Sequence, residues 1–220
     1  VAADENEISL LLKNLATAEL DRTVGSVAEL GLENFGLNEP VLEIRFRVSE
    51  GDEGGLQFGT DTPTGTTHYA RRSEKDEILV VAPYLSLNFR KTVWDLRDKR
   101  IFDYAEDAMP SRVEIERPEG RLVLENSLGF WFVSGETRFR ADGFEVEGLV
   151  SRFRRADMRD IVSETSEGLV SLGLEPHHRA LRVEWVDESL SPLEIHVGEK
   201  SSIDFYARVP ARPQVFLLDR

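Results

Sequence analysis

Residues 4–18 read DENEISLLLKNLATA, and residues 142–156 read DGFEVEGLVSRFRRA. Each stretch begins with an aspartate that is followed three residues later by a glutamate, the pattern of a helix N-cap box. Apolar residues then recur at helical spacing on one face, at equivalent positions in the two stretches: Ile8, Leu11, Leu12, Leu15 and Ala18, then Val146, Leu149, Val150, Phe153 and Ala156. The pair predicts two amphipathic helices and indicates an internal repeat.

The repeat continues beyond each helix. A turn with glycine and proline comes first (Gly36 to Pro40, and Gly173 to Pro176), and strict apolar–polar alternation follows in residues 42–48 and 181–185. Three further matches complete the copy: Phe58-Gly59 with Val197-Gly198, Tyr69-Ala70-Arg71 with Tyr206-Ala207-Arg208, and residues 78–81 with 215–218. Each copy therefore predicts an antiparallel sheet with a helix packed on one face, an α+β fold in two tandem repeats.

Residues between the copies predict two more elements. Residues 85–96 have the pattern of a second helix, and Arg112 to Ile115 with Arg121 to Leu124 predict a hairpin around Pro118 to Gly120. We assign this hairpin to the second repeat, so that its counterpart in the first would precede Val1. We expect two domains, residues 1–100 and 101–220, with the first and last repeat truncated.

Composition excludes several classes of protein. The 220 residues carry 27 Lys and Arg against 41 Asp and Glu, a net charge of −14 that disfavours nucleic acid as a partner. There is no cysteine for a disulfide, a thiolate metal site or a nucleophile. The longest apolar stretch, residues 78–87, is too short to span a bilayer. Because the chain begins at Val1 without a methionine, we expect that any signal peptide or membrane anchor was removed upstream.

No motif assigns a catalytic residue, a metal or a cofactor. Residues 58–69 are rich in glycine and hydroxyls but lack the lysine of a phosphate-binding loop, and predict a hairpin turn around Pro63 and Gly65. The four histidines, His68, His177, His178 and His196, lack zinc-binding spacing, and His68 is expected on the buried side of its strand. Residues 95–100 predict a solvated, basic helix end.

The one set of candidate binding residues is Tyr69, Arg71, Tyr206 and Arg208. Their positions in the alternation predict that they share the strand face opposite the buried one. Tyrosine and arginine are common interface anchors and suit sugar or anionic ligands. An ordinary cross-strand or cation–π pair at a sheet surface is the favoured explanation of these residues.

Several of these segments together resemble a bacterial domain-of-unknown-function family, numbered 4340. The resemblance rests on residues 56–65, Tyr69-Ala70-Arg71, residues 78–81 and 95–100, Trp131 before Ala141-Asp142, and the turns at residues 36–40 and 173–176. It implies an N-terminal transmembrane anchor, repeats outside the cytoplasm, and a gene beside an ABC-type transporter similar to the gliding-motility auxiliary systems. It carries no catalytic residue across.

The resulting expectation is a non-enzymatic, extracytoplasmic interaction module that is membrane-anchored and accessory to an ABC-type transport complex, with transporter subunits as partners. The alternative is a ligand- or glycan-binding envelope protein that uses the tyrosine–arginine pairs. An acid–base hydrolase, which needs two close carboxylates in a concave site, is the third and less favoured hypothesis.

Overall fold

The computed structural model describes residues 2–48 and 51–219. The chain divides into two compact units, Val1–Asp98 and Lys99–Arg220. Both units are built on antiparallel sheets. The described residues are mostly β with some helix, so the predicted helices and sheets are present but strands dominate the α+β composition.

The first unit contains a five-stranded sheet in the order β1-β5-β4-β3-β2. Its elements are α1 (Glu5–Ala16), β1 (Arg22–Gly25), α2 (Val27–Leu30), a 3₁₀ turn (Glu33–Phe35), β2 (Leu42–Arg47), β3 (Glu53–Asp61), β4 (His68–Arg72), β5 (Ile78–Val81) and α3 (Pro83–Phe89). The predicted cap is present, because the Asp4 carboxylate accepts hydrogen bonds from the backbone N–H groups of Asn6 and Glu7. A small core lies between the sheet and α3, around Phe58, Ala70 and Leu85.

The second unit contains a nine-stranded sheet in the order β10-β14-β13-β12-β11-β6-β7-β8-β9. Its elements are β6 (Pro110–Arg117), β7 (Gly120–Ser127), β8 (Phe130–Ser134), β9 (Phe139–Arg140), α4 (Gly143–Arg154), β10 (Asp160–Ser163), β11 (Arg179–Trp185), β12 (Leu193–Ser201), β13 (Asp204–Arg208) and β14 (Val215–Leu218). The β6–β7 hairpin is the predicted one, and β6 pairs with β11. The core is larger than that of the first unit and includes Val150, Phe153, Trp131 and Trp185.

Five strands of each sheet are equivalent, which confirms the tandem repeat. β1-β5-β4-β3-β2 and β10-β14-β13-β12-β11 follow the same order along the chain and in the sheet. Gly59 and Gly198 occupy the same place in both, because each passes close under a backbone carbonyl, that of Phe35 or Leu172. The turn glycines Gly36 and Gly173 both have positive φ, at 63° and 68°.

Ladder pairing sets the alignment of the strand that follows the turn. Leu56 and Ile195 are equivalent, because each lies three residues before its glycine, Gly59 or Gly198. Ile44 faces Leu56 and Leu181 faces Ile195, so Ile44 is the counterpart of Leu181. The sequence alone leaves this register open, because four alternating apolar residues run from Leu42 to Val48 in the first copy and three run from Leu181 to Trp185 in the second. Because side chains alternate with a period of two, a slip of two residues keeps every side chain on its face and leaves no trace in the pattern.

Two local predictions are wrong. The helix predicted over residues 85–96 begins at Pro83 and ends at Phe89, and Thr92 and Asp95 then form a turn in which the Asp95 carboxylate accepts from the Thr92 N–H at 2.8 Å. The basic segment is no helix end, since Arg97 forms a bridge with Ala3 and the Asp98 N–H donates to Ala2. The polar turn at Thr92 ends the helical pattern by binding its own backbone.

Candidate interaction surface

The first tyrosine–arginine pair packs against its own unit. The Tyr69 ring is half-buried and meets the Phe35 ring edge-to-face, with 4.9 Å between centroids. Arg71 donates a hydrogen bond from Nη2 to the carbonyl of Ser73 at 3.0 Å. Both side chains lie on the face opposite the core around Phe58, as predicted from the alternation, but the 3₁₀ turn covers part of that face.

The second pair repeats this arrangement. Tyr206 packs against a small apolar cluster of Leu169, Leu174 and Val215. The Arg208 Nη2 donates to the carbonyl of Pro210 at 3.3 Å. Each tyrosine therefore has apolar neighbours within its unit, and each arginine has a local backbone partner.

The threonine hydroxyl groups of the hairpin between β3 and β4 form hydrogen bonds with one another. The Thr62 hydroxyl lies 3.1 Å from that of Thr64 and 2.9 Å from that of Thr67, and Thr64 reaches Thr66 at 2.9 Å. Gly65 has a positive φ, at 67°. The segment is the hairpin turn that the sequence predicts.

Two histidines that sequence reasoning left apart come together in the second unit. The His177 and His196 rings stack with 3.7 Å between centroids. Nε2 of His177 lies 3.3 Å from Oε2 of Glu116, and Nε2 of His196 lies 2.9 Å from Oε1 of Glu194. Burial lowers the pKa of His196, the hydrogen bond with Glu194 opposes this, and repulsion from His177 adds to the lowering. His68, also half-buried, lies with Nδ1 2.6 Å from Asp61.

Alternating acids and bases surround this histidine pair on the faces of β6, β11 and β12. They line a shallow depression of about 340 Å³, formed by Glu114, Glu116, His177, Ala180, Arg182 and Glu194. Burial alone would raise the pKa of Glu194, but hydrogen bonds from His196 and Arg182 outweigh it and lower that pKa. The i, i+2 spacing of charges on β6, β11 and β12 is the signal that could have located this cluster.

Within the described ranges 2–48 and 51–219, no group of three or more potential ligands is placed to hold a metal ion. Over the same residues, no helix has both the length and the apolar character needed to cross a membrane.

The two units differ in the burial of the apolar helix stripe. Val150 is 3% exposed in α4, whereas its counterpart Leu12 in α1 is 59% exposed. The same holds at the ends of β11 and β2, where Trp185 is buried and its counterpart Val48, one residue beyond β2, is exposed. Equivalent positions are therefore core in one unit and surface in the other.

Residues 101–134 provide the cover in the second unit. Ile101, Phe102, Val113, Leu124 and Trp131 belong to the same buried cluster as Val150 and Trp185. The Phe102 ring meets the Phe153 ring edge-to-face at 4.7 Å. In the part of the chain that the structure describes, β2 pairs with β3 alone, so the edge that β6 occupies on β11 is free on β2.

Arg154 holds this cover in place. Its guanidinium lies 4.4 Å from the Trp185 ring centroid and 5.5 Å from that of Tyr104. It also donates to the backbone carbonyls of Glu106 and Ala108. Burial lowers the pKa of Arg154, and the electrostatic interaction with Tyr104 partly offsets this lowering. The position equivalent to Arg154 in α1 is Ala16, which offers none of these contacts.

The first unit contains an apolar groove of about 310 Å³ between α1 and the sheet. It is lined by residues of α1, its C-terminal extension, the sheet and α3, among them Leu15, Leu20, Phe46, Leu56 and Leu85. We call the exposed side chains of Leu12, Leu20, Phe46 and Val48, together with the free edge of β2, the open flank of the first unit. Exposed apolar surface beside a free strand edge is typical of protein interaction sites.

Comparison with known proteins gives a family and no activity. No curated protein matches the sequence. The model of a family described as a domain of unknown function (DUF4340) matches residues 1–128 and 131–220. These two tandem matches cover nearly the whole chain, and the protein therefore belongs to the DUF4340 family.

Proposed function

We propose that this protein is a non-enzymatic interaction module that works outside the cytoplasm, anchored to the membrane, as an accessory to an ABC-type transport complex. The observation that carries the interaction role is the open flank of the first unit. The second unit buries the equivalent surface under residues 101–134, so this surface has the shape and chemistry of one that receives protein.

The chemistry of the open flank favours a polypeptide over a small molecule as the partner. It combines a helix stripe, an aromatic side chain and an unpaired strand edge, and the last offers backbone N–H and C=O groups in register. The transport-complex assignment comes from the resemblance described above, which also supports the location outside the cytoplasm.

Photo-crosslinking from the open flank tests this proposal. A photoreactive residue replaces Leu12 in the full-length protein in its native membrane, and the matched control carries it at Ile203, which is 64% exposed in the β12–β13 turn. We expect crosslinks from position 12 to a permease or ATPase subunit and none from position 203. Mass spectrometry of the purified adducts identifies the subunit.

Two results contradict the proposal. Equal crosslinking from both positions would show that the open flank is not a specific interface. Recovery of the full-length protein in the cytosol, free of membrane partners, would remove both the location and the transport role.

A second candidate function is binding of an envelope glycan. The depression around His177 favours it, because its carboxylates and imidazoles present many hydrogen-bonding groups to a polar ligand. The tyrosine–arginine pairs are the other candidate site. Retention of the full-length protein on native envelope material tests both, with Tyr206→Ala/Arg208→Ala and Glu116→Gln/His177→Gln as variants. Unchanged retention in both variants removes the glycan hypothesis.

A further inference from the structure

The repeat shows what a strand bound to β2 would face. Ile44 corresponds to Leu181, so Phe46 corresponds to Val183 and Arg45 to Arg182. In the second unit, β6 places Ile115 opposite Leu181 and Val113 opposite Val183. An antiparallel strand on β2 would therefore place apolar residues opposite Ile44 and Phe46.

The other face of the strand carries the charges. Glu114 of β6 lies opposite Arg182, and the equivalent position on β2 is again an arginine, Arg45. At the next outward position the sign changes. Arg112 of β6 lies opposite Glu184, but the counterpart of Glu184 on β2 is Arg47.

Arg45 and Arg47 are accessible to a new partner. Their side chains are 80% and 74% exposed, and their ion pairs are to Glu43 and Glu53 of their own hairpin. A strand with the charges of β6 would set its Arg112 equivalent against Arg47, and like charges directly opposite each other destabilise a strand pair. A strand with carboxylates at both positions would gain two cross-strand ion pairs instead.

We propose that β2 is the acceptor for an antiparallel strand of a partner protein, with apolar residues facing Ile44 and Phe46 and acidic residues facing Arg45 and Arg47. This inference rests on the proposed interaction function and names the class of segment that binds. The charge change at Arg47 selects a partner strand over a further copy of β6. The apolar side of the strand would continue onto the groove beside Phe46.

Peptide binding to the 220-residue chain tests the inference. The probes are the β6–β7 hairpin, residues 109–127, with its own sequence and with R112E, each measured by calorimetry and by the backbone amide shifts of β2. We expect the R112E peptide to bind about threefold more tightly, the size of effect that one cross-strand charge pair produces. The amides of residues 42–47 should shift and those of β11 should not.

A charge reversal on the acceptor provides the matched control. Arg47→Glu gives β2 the charge that β11 carries at Glu184, so the preference should reverse and the peptide with Arg112 should bind more tightly. Equal affinities for all four combinations, or shifts confined to residues outside β2, would overturn strand addition. The crosslinks from position 12 are independent of this result, so failure here alone leaves an interaction module that uses another binding mode.

Discussion

The ring of Phe46 lies over Gly54, directly across the ladder from it, so that a side chain at position 54 would meet the ring. The equivalent pair in the second unit is Val183 with Leu193. One unit therefore pairs a large side chain with none, and the other pairs two of intermediate size. The two pairs therefore fill the space between neighbouring strands with different combinations of side chains.

Exchanging the pair predicts a compensation. Gly54→Leu alone should displace the Phe46 ring and destabilise the chain by about 1–3 kcal/mol, the usual cost of overpacking. The double variant Phe46→Val/Gly54→Leu should recover most of that loss, because it copies a pair that the fold already contains. Urea unfolding of the two single variants and the double variant measures the coupling. Additive losses would contradict it.

Gly59 and Gly198 should resist any side chain. Each has a backbone carbonyl, that of Phe35 or Leu172, where a Cβ would lie, and backbone cannot move aside as a side chain does. We expect Gly59→Ala and Gly198→Ala each to lower the free energy of unfolding by about 1–3 kcal/mol. Gly148→Ala is the control, since its Cβ would meet only the far end of Arg152 at 3.6 Å. That variant should stabilise α4 by about 0.5–1 kcal/mol.

Arg154 should contribute to stability through its fork of donors more than through its charge. Arg154→Lys keeps the charge but cannot reach both Glu106 and Ala108 while lying over Trp185. We expect both Arg154→Lys and Arg154→Met to lose about 2 kcal/mol, the scale of hydrogen bonds from a charged donor. Thermal unfolding followed by Trp fluorescence measures this. A fully stable lysine variant would show that charge alone suffices.

Acid should destabilise the second unit through His196. Its pKa is lowered by burial, so protonation favours the unfolded chain over the folded one. The stabilisation is complete above the ordinary imidazole pKa of 6.5 and is lost as the pH falls below it. Chemical unfolding at pH values between about 7.5 and 5 should show falling stability for the native chain and a flatter profile for His196→Gln.

The titration of Glu194 does not contribute to the stability change between pH 7.5 and 5. Hydrogen bonds from His196 and Arg182, against the effect of burial, lower its pKa from the ordinary 4.5, so its share of the stability is lost only at more acidic pH. An unchanged slope between pH 7.5 and 5 in the His196→Gln variant would assign the acid sensitivity to other groups.

The sequence was sufficient for the elements whose signals are local. The caps at Asp4 and Asp142, the turns at Gly36, Gly65 and Gly173 and the β6–β7 hairpin all follow from residues close together in the chain. The prediction that the helix runs to residue 96 is wrong because the Thr92–Asp95 turn forms instead. The local pattern of residues does not show which of the two structures is more stable.

The sequence could not show which of two equivalent apolar positions is buried. Leu12 and Val150 carry the same apolar signal, and only the fold shows that residues 101–134 cover one and not the other. His177 lies in the loop before β11 and His196 lies in β12. Their rings stack because β11 and β12 pair in the sheet. Helical or zinc-binding spacing therefore could not reveal it.

The order of strands in the two sheets also determines when each can form during synthesis. The first sheet needs no residue beyond β5, which ends at Val81, so it can close while most of the chain is still untranslated. The second must wait, because the central partner of β6 is β11, more than sixty positions later, as in the pair Glu116 and Ala180. Until β11 emerges from the ribosome, β6 presents Val113 and Ile115 on an unpaired edge, and this interval is when the nascent protein is most exposed to misassociation.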